Sequence, residues 1–190
     1  MSTREVMVGA FRGAQAALDA FVRDDAAVAA SAQLAELVAG AMRGGNKVMI
    51  CGNGGSLCDA AHFAEELTGR FRNDRRPLPA IACTEPGHLT CVANDYGFDQ
   101  VFARWVTALG RRGDVLIVLS TSGNSENGVK AVEAARAAGV RTCALLGRGG
   151  GRLRGLCEVE LIAPGATSDR IQEVHMLVLH AVVEAVEGVV

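Results

Sequence analysis

Residues 114–125, Asp-Val-Leu-Ile-Val-Leu-Ser-Thr-Ser-Gly-Asn-Ser, constrain the fold more than any other stretch of the chain. Val115, Leu116, Ile117, Val118 and Leu119 form an unbroken apolar run rich in β-branched side chains. Such a run suits a strand covered on both faces, as in a parallel sheet between helices. It ends in four hydroxyls within six residues, Ser120, Thr121, Ser122 and Ser125, interrupted by Gly123 and Asn124. From 126 to 138 the composition turns to Ala, Lys, Glu and Arg, and a helix resumes. A strand that opens through a hydroxyl-rich turn into a helix aims free N–H groups and O–H donors at one point, which suits a phosphate. A helix cap, with Ser125 as N-cap, would use only one of these hydroxyls. No lysine follows in the Gly-Lys-Ser/Thr form, which excludes a Walker-type nucleotide loop. Neutral donors fit the phosphomonoester of a small metabolite.

The same alternation runs through the rest of the chain. Strands are predicted at 48–51, 80–83, 115–119, 141–146 and 159–163, and helices at 56–70, 88–93, 98–109, 126–138 and 169–186. That order implies an α/β fold with a parallel sheet between helices. Ahead of the first strand, residues 4–42 show helical spacing in two pieces, broken at Asp24-Asp25 and ended by Gly44-Gly45-Asn46. This hairpin, within 1–45, reads as an added layer or a contribution to a bundle, with 46–190 as the α/β core of one domain. The Gly/Arg-rich segment 147–155 reads as a loop with a short helical turn. Its glycines would permit a second phosphate loop, but it follows another strand and lacks hydroxyls.

Charge and hydropathy narrow the partners. Nineteen basic residues against twenty-one acidic ones leave a net charge of −2 with no basic block, which argues against nucleic acid. Hydrophobic residues make up 49% of the chain while aromatics reach only 4%, so the excess is Ala, Val and Leu. Part of that excess is expected in a subunit interface. No apolar run approaches the ~20 residues of a membrane span, and Met1-Ser-Thr-Arg-Glu carries no apolar signal core. Cys51, Cys58, Cys83, Cys91, Cys143 and Cys157 are scattered without a Cys-x-x-Cys, as reduced thiols of a cytoplasmic protein would be.

A second turn, Cys51-Gly-Asn-Gly-Gly-Ser56, also leaves a strand and opens a helix. Gly52, Gly54 and Gly55 permit close approach of a ligand to the backbone. Leu57 occupies the third glycine position of a dinucleotide fingerprint, and no acidic residue ends the next strand, which disfavours a nicotinamide cofactor. Ser56 could serve only as an N-cap with Asp59 three residues on, whereas Asn53 sits at the strand exit, where open α/β sheets bind ligands.

The helix after Ser56 places His62 and Glu66 four residues apart on one face, with Glu65 about 100° away toward solvent. An imidazole and a carboxylate at that spacing can chelate zinc or form a plain surface pair. The closing helix carries Gln172, His175 and His180. Gln172 and His180 lie about 80° apart in projection and can border one cleft, while His175 and His180, about 140° apart, face different sites. Gln172 could equally complete a capping box with Asp169, and His180 could be a hydrogen-bonded core histidine.

Taken together, Cys51-Gly-Asn-Gly-Gly-Ser56, Asp59-Ala-Ala-His-Phe-Ala-Glu-Glu-Leu-Thr-Gly69, Val92-Ala-Asn-Asp95, Ser120-Thr-Ser-Gly-Asn-Ser125 and Arg170-Ile-Gln-Glu-Val-His175 resemble the sugar isomerase (SIS) domain family, and within it the bacterial phosphoheptose isomerases. The resemblance runs almost end to end. It implies a flavodoxin-like three-layer sandwich with a five-stranded parallel sheet, and a homotetramer with helices pooled in a central bundle and sites at subunit boundaries. It implies that Ser120, Thr121, Ser122 and Ser125 hold the phosphate, and that Asn53, Gly54, Gly55, Asn94, Asp95 and Asp169 line the sugar. It further implies His62, Glu66, Gln172 and His180 as ligands of one zinc per subunit, with Glu66 and His180 also the acid/base pair. The activity implied is conversion of sedoheptulose 7-phosphate to an aldose 7-phosphate for heptose precursor synthesis. Glu85-Pro-Gly87 departs from the polar turn common in relatives. The alternatives are a non-catalytic sugar-phosphate-binding module of the same fold, which would need neither Glu66 nor His180, and an isomerase of another phosphosugar.

Overall fold

Side chains along a strand alternate between faces, and here both faces are covered. A computed structural model describes residues 1–190. Its sheet contains β1 (Val48–Gly52), β2 (Ala80–Ala82), β3 (Val115–Ser120), β4 (Arg141–Gly147) and β5 (Val159–Ala163). All neighbours pair in parallel, in the order β2-β1-β3-β4-β5, which is the flavodoxin-like order. Every residue of β3 is buried, as its unbroken apolar run requires.

Seven helices complete the chain: α1 (Thr3–Val22), α2 (Asp25–Arg43), α3 (Gly55–Thr68), α4 (Pro86–Tyr96), α5 (Val101–Leu109), α6 (Glu126–Ala138) and α7 (Ser168–Glu187). Val48, Ile50, Val115, Ile117 and Leu119 share one core with α2, α3 and α7, and α1 packs onto α2 and α7 outside them. Met49, Cys51, Leu116 and Val118 meet α4, α5 and α6 on the other. The result is a three-layer sandwich, with the N-terminal helix pair sharing a core with α7.

Local chemistry sets the boundaries. Ser2 and Glu5 form a capping box at the start of α1, and Asp24 caps α2 through the N–H groups of Ala26 and Ala27, each worth about 1 kcal/mol. The helix expected at 88–93 begins earlier, at Pro86. Glu85 caps it by accepting from the N–H groups of Gly87 and His88, and proline occupies the first turn, where its missing N–H costs nothing. At the opposite rim, Asp114 accepts from the backbone of Lys47 and Arg111 and pairs with the Lys47 ammonium.

All six cysteines are free. Cys51, Cys83 and Cys143 are buried and Cys157 is half-buried, while Cys58 and Cys91 are exposed. Burial pushes the thiols of Cys83 and Cys157 up to about 12, and those of Cys51 and Cys143 also well above the usual range. No helix is long and apolar enough to cross a membrane.

Candidate active site

The strand order reverses between β1 and β3, and a crevice opens there at the carboxyl ends of the strands. The two turns singled out in the sequence leave those strands. Asn53 and Asn127 bridge them with reciprocal amide hydrogen bonds of 3.0 and 2.9 Å. Beside this pair lies a cleft of about 240 Å³ lined by Asn53, Phe98, Asp99, Ser125, Glu126 and Asn127. Gly54 starts α3 at φ 57°, a conformation that favours glycine. Ser56 is therefore no N-cap. It lies buried within the first turn.

In the turn after β3, Ser120 is buried and its Oγ lies 3.2 Å from Ser125 Oγ. It also accepts from the N–H of Gly123 at 3.1 Å. Ser125 occupies the N-cap position of α6, but its side chain does not cap, so the free N–H groups of the first turn remain for an anion. Ser122 Oγ accepts from the N–H of Asn124. Thr121 Oγ1 donates to Ser168 Oγ at 3.1 Å, and Arg148 Nη2 donates to the same oxygen at 3.3 Å. The segment 147–155, expected as a loop with a short helical turn, forms short 3-10 turns within Arg148–Leu153 that are kinked at Gly149, Gly150 and Gly151, where φ is positive. It braces the hydroxyl turn: Arg152 donates its N–H to Asn124 Oδ1, and Leu153 donates its N–H to the carbonyl of Gly123. Gly123 has φ 66° and lies so close to the carbonyl of Gly150 that a Cβ could not fit.

In the opposite helix layer, α3 and α7 bring three donor side chains together. Glu66 Oε1 lies 3.3 Å from Nε2 of both His62 and His180. The two imidazole rings meet edge-on, 5.2 Å between centroids. One ligand atom from each of the three lies within 4.8 Å of the others. Glu66 is buried while His62 is exposed, and Glu66 Oε2 is buried with no hydrogen-bond partner. Burial raises the Glu66 carboxyl pKa, and the charges of His180 and His62 pull it back. Glu65 faces solvent. His175 is separate, with its Nε2 donating to the carbonyl of Leu146 at 3.0 Å.

Gln172 Nε2 donates to Ser56 Oγ at 3.2 Å, and its amide packs where a side chain on Gly55 would otherwise sit. It lies about 12 Å along α7 from His180 at 1.5 Å per residue, and one chain directs it to Ser56. The capping box imagined for Gln172 and Asp169 does not form, because α7 begins at Ser168 with Thr167 as N-cap. Asp169 pairs with Arg170 instead, and a hydrogen bond from Thr167, followed by those from Arg170, holds its carboxyl below the usual range. Asn94 and Asp95 bond each other at 2.7 Å on the exposed last turn of α4. Asn127, Arg148 and Ser168 were not singled out in the sequence. Each sits within or beside an element whose pattern explains it without a ligand.

A crevice at the strand reversal, braced hydroxyls on one side and a buried carboxylate between imidazoles in the other layer define a sugar isomerase (SIS) domain, and the profile of that domain matches residues 11–147. The phosphoheptose isomerase of Fusobacterium nucleatum is 53% identical over 169 residues, covering 89% of this chain and 87% of its own length. That of Vibrio cholerae is 52% identical over 171 residues, 90% of each chain. The solved phosphoheptose isomerase of Neisseria gonorrhoeae superposes with a TM-score of 0.92 at 39% identity, covering 99% of this chain and 100% of its own. The chain belongs to the phosphoheptose isomerase family.

Proposed function

We propose that this protein converts sedoheptulose 7-phosphate to D-glycero-D-manno-heptose 7-phosphate, an aldose–ketose isomerisation through an enediol that supplies heptose precursors. The observation that carries the reading is the meeting of Glu66 with His180, remote in sequence, at 3.3 Å, with the second carboxylate oxygen unpartnered.

From ketose to aldose, Glu66 takes a proton from C1 and returns it to C2. His180 gives a proton to the C2 oxygen and accepts one from the C1 oxygen, so the step is redox-neutral. A carboxyl raised by burial is suited to both halves of this transfer. Oε1 faces the imidazoles, and Oε2 has no hydrogen-bond partner to compete for it. Ser120, Thr121, Ser122 and Ser125 hold the phosphate, whose binding positions the distant carbons for transfer. Asn53, Gly54, Gly55, Asn94, Asp95 and Asp169 line the sugar.

His62, Glu66 and His180 fit one zinc ion per subunit: the donor set is right, the atoms are close, and an orphaned carboxylate oxygen is present. Zinc bound there would polarise the substrate carbonyl as a Lewis acid. Gln172 is the fourth ligand in this reading. Within one chain its amide is directed to Ser56, so this reading takes the fourth ligand from a neighbouring copy within a homotetramer. Exposed Val6, Met7 and Phe11 of α1, Val28 of α2 and Leu177 of α7 supply apolar surface for that assembly. The unpaired cysteines suit the cytoplasm.

Incubation of the pure protein with sedoheptulose 7-phosphate tests the reading directly. The expected result is accumulation of the aldose 7-phosphate. Unchanged ketose, with phosphosugar still bound, would leave only a binding module.

A further inference from the structure

Residues 69–79, between α3 and β2, contain no helix or strand, yet they are tightly fastened. Arg75 donates from Nη2 to the carbonyl of Glu66 at 2.6 Å and from Nη1 to that of Leu67 at 2.8 Å. These are two of the carbonyls that the end of α3 leaves without helical partners. Arg75 Nε pairs with Glu187 Oε1 at 3.0 Å, and the two side chains are only 11% and 2% exposed. Glu187, in the last turn of α7, also accepts from the backbone of Arg72 and Asn73 at 3.4 Å. In the same segment Phe71 stacks on the His180 ring, 5.9 Å between centroids and 19° from parallel. Arg72 lies over the Phe71 ring, 5.1 Å from its centroid, and pairs with Glu184.

The bridge thus ties the end of the helix that carries Glu66 to the end of the helix that carries His180. A buried ion pair contributes little net stability, because desolvation offsets its Coulomb attraction. Its geometric content is larger: a planar guanidinium fixes several acceptors at once. We propose that Arg75 and Glu187 are positioning residues, which set the separation of Glu66 and His180 by locking α3 to α7 through the 69–79 segment. The proposal rests on the reading of Glu66 and His180 as the reactive centre, and it adds a support that touches neither substrate nor metal.

The test compares Glu187→Gln, Arg75→Lys and the double variant Arg75→Met/Glu187→Met with the wild-type full chain. Glu184→Gln, at the exposed pair, serves as control. Zinc affinity is measured by competition with a chromophoric chelator, kcat and KM are determined separately, and urea midpoints report folding. Apolar replacement of a buried pair is often neutral for stability, so the double variant separates support of the fold from support of the site. The expected result is a wild-type urea midpoint with zinc affinity and kcat each reduced by about 10–100-fold, the range for residues that orient metal ligands, and KM unchanged. Arg75→Lys, which keeps the charge but cannot span both carbonyls, gives the same losses and decides the matter if the other variants do not fold. A folded double variant with wild-type zinc affinity and kcat would overturn the proposal. A wild-type chain that binds no zinc would remove the metal reading alone, and the kcat comparison would then decide the role of the bridge.

Discussion

A carboxylate enclosed by protein and flanked by imidazoles is pulled in two directions, since burial favours the neutral acid and nearby positive charge favours the anion. Glu66 is held in that balance. Glu66→Gln keeps the shape of the side chain and removes its proton chemistry. Turnover is expected to fall by about 10²–10⁴-fold, the usual contribution of a positioned acid or base, with the fold and phosphate affinity retained; near-normal turnover would take Glu66 out of the mechanism. His175 offers a separate test. Burial lowers its pKa to about 4 from 6.5, so the native ring stays neutral where the unfolded chain takes up a proton. Stability contributed by the neutral ring is complete above pH 6.5 and is lost between pH 6.5 and 4, by roughly 3 kcal/mol at 1.36 kcal/mol per pKa unit. Urea midpoints across that window should show this component in the wild type and not in His175→Gln. His62 and Glu66 were legible in the sequence because a four-residue spacing fixes a shared helix face whatever the tertiary fold. Their meeting with His180 was not legible from spacing, because it depends on how α7 packs on α3. Asn127 was hidden for a related reason: inside a helix an asparagine reads as surface until its partner across the crevice is seen.

The hydroxyl turn after β3 is held less by its own residues than by the turn that follows β4. Gly123 is where they interlock, with a left-handed backbone and no room for a Cβ against Gly150. Gly123→Ala must therefore separate the two turns or distort both. Backbone strain of about 1–3 kcal/mol should appear as a rise in KM of about tenfold or more with kcat less affected, measured by steady-state kinetics. An unchanged KM would place the phosphate elsewhere. The central strands β1 and β3 were the most readable, because both are buried along their whole length and consequently almost wholly apolar. The start of α4 was not, since Pro-Gly ordinarily marks a break, and only the side chain of Glu85 turns it into a helix beginning. The role of 147–155 was likewise unreadable, because backbone hydrogen bonds to another loop leave no mark on composition.

At the scale of the whole molecule, the apolar content noted in the sequence is divided between two cores and a set of exposed side chains on α1, α2 and α7. If those side chains are the contacts of a tetramer, Phe11→Glu with Leu177→Glu should shift the mass measured by light scattering toward smaller species, and activity should fall with it where sites are shared. A tetrameric, fully active double variant would move the interface to another face.

The uneven enclosure of the cysteines has a practical consequence. A disulfide reagent in excess should label Cys58 and Cys91 promptly and half-buried Cys157 more slowly, whereas Cys51, Cys83 and Cys143 wait until the polypeptide opens. The slow phase of colour release from an undisturbed sample would then clock spontaneous opening events directly, with no denaturant present.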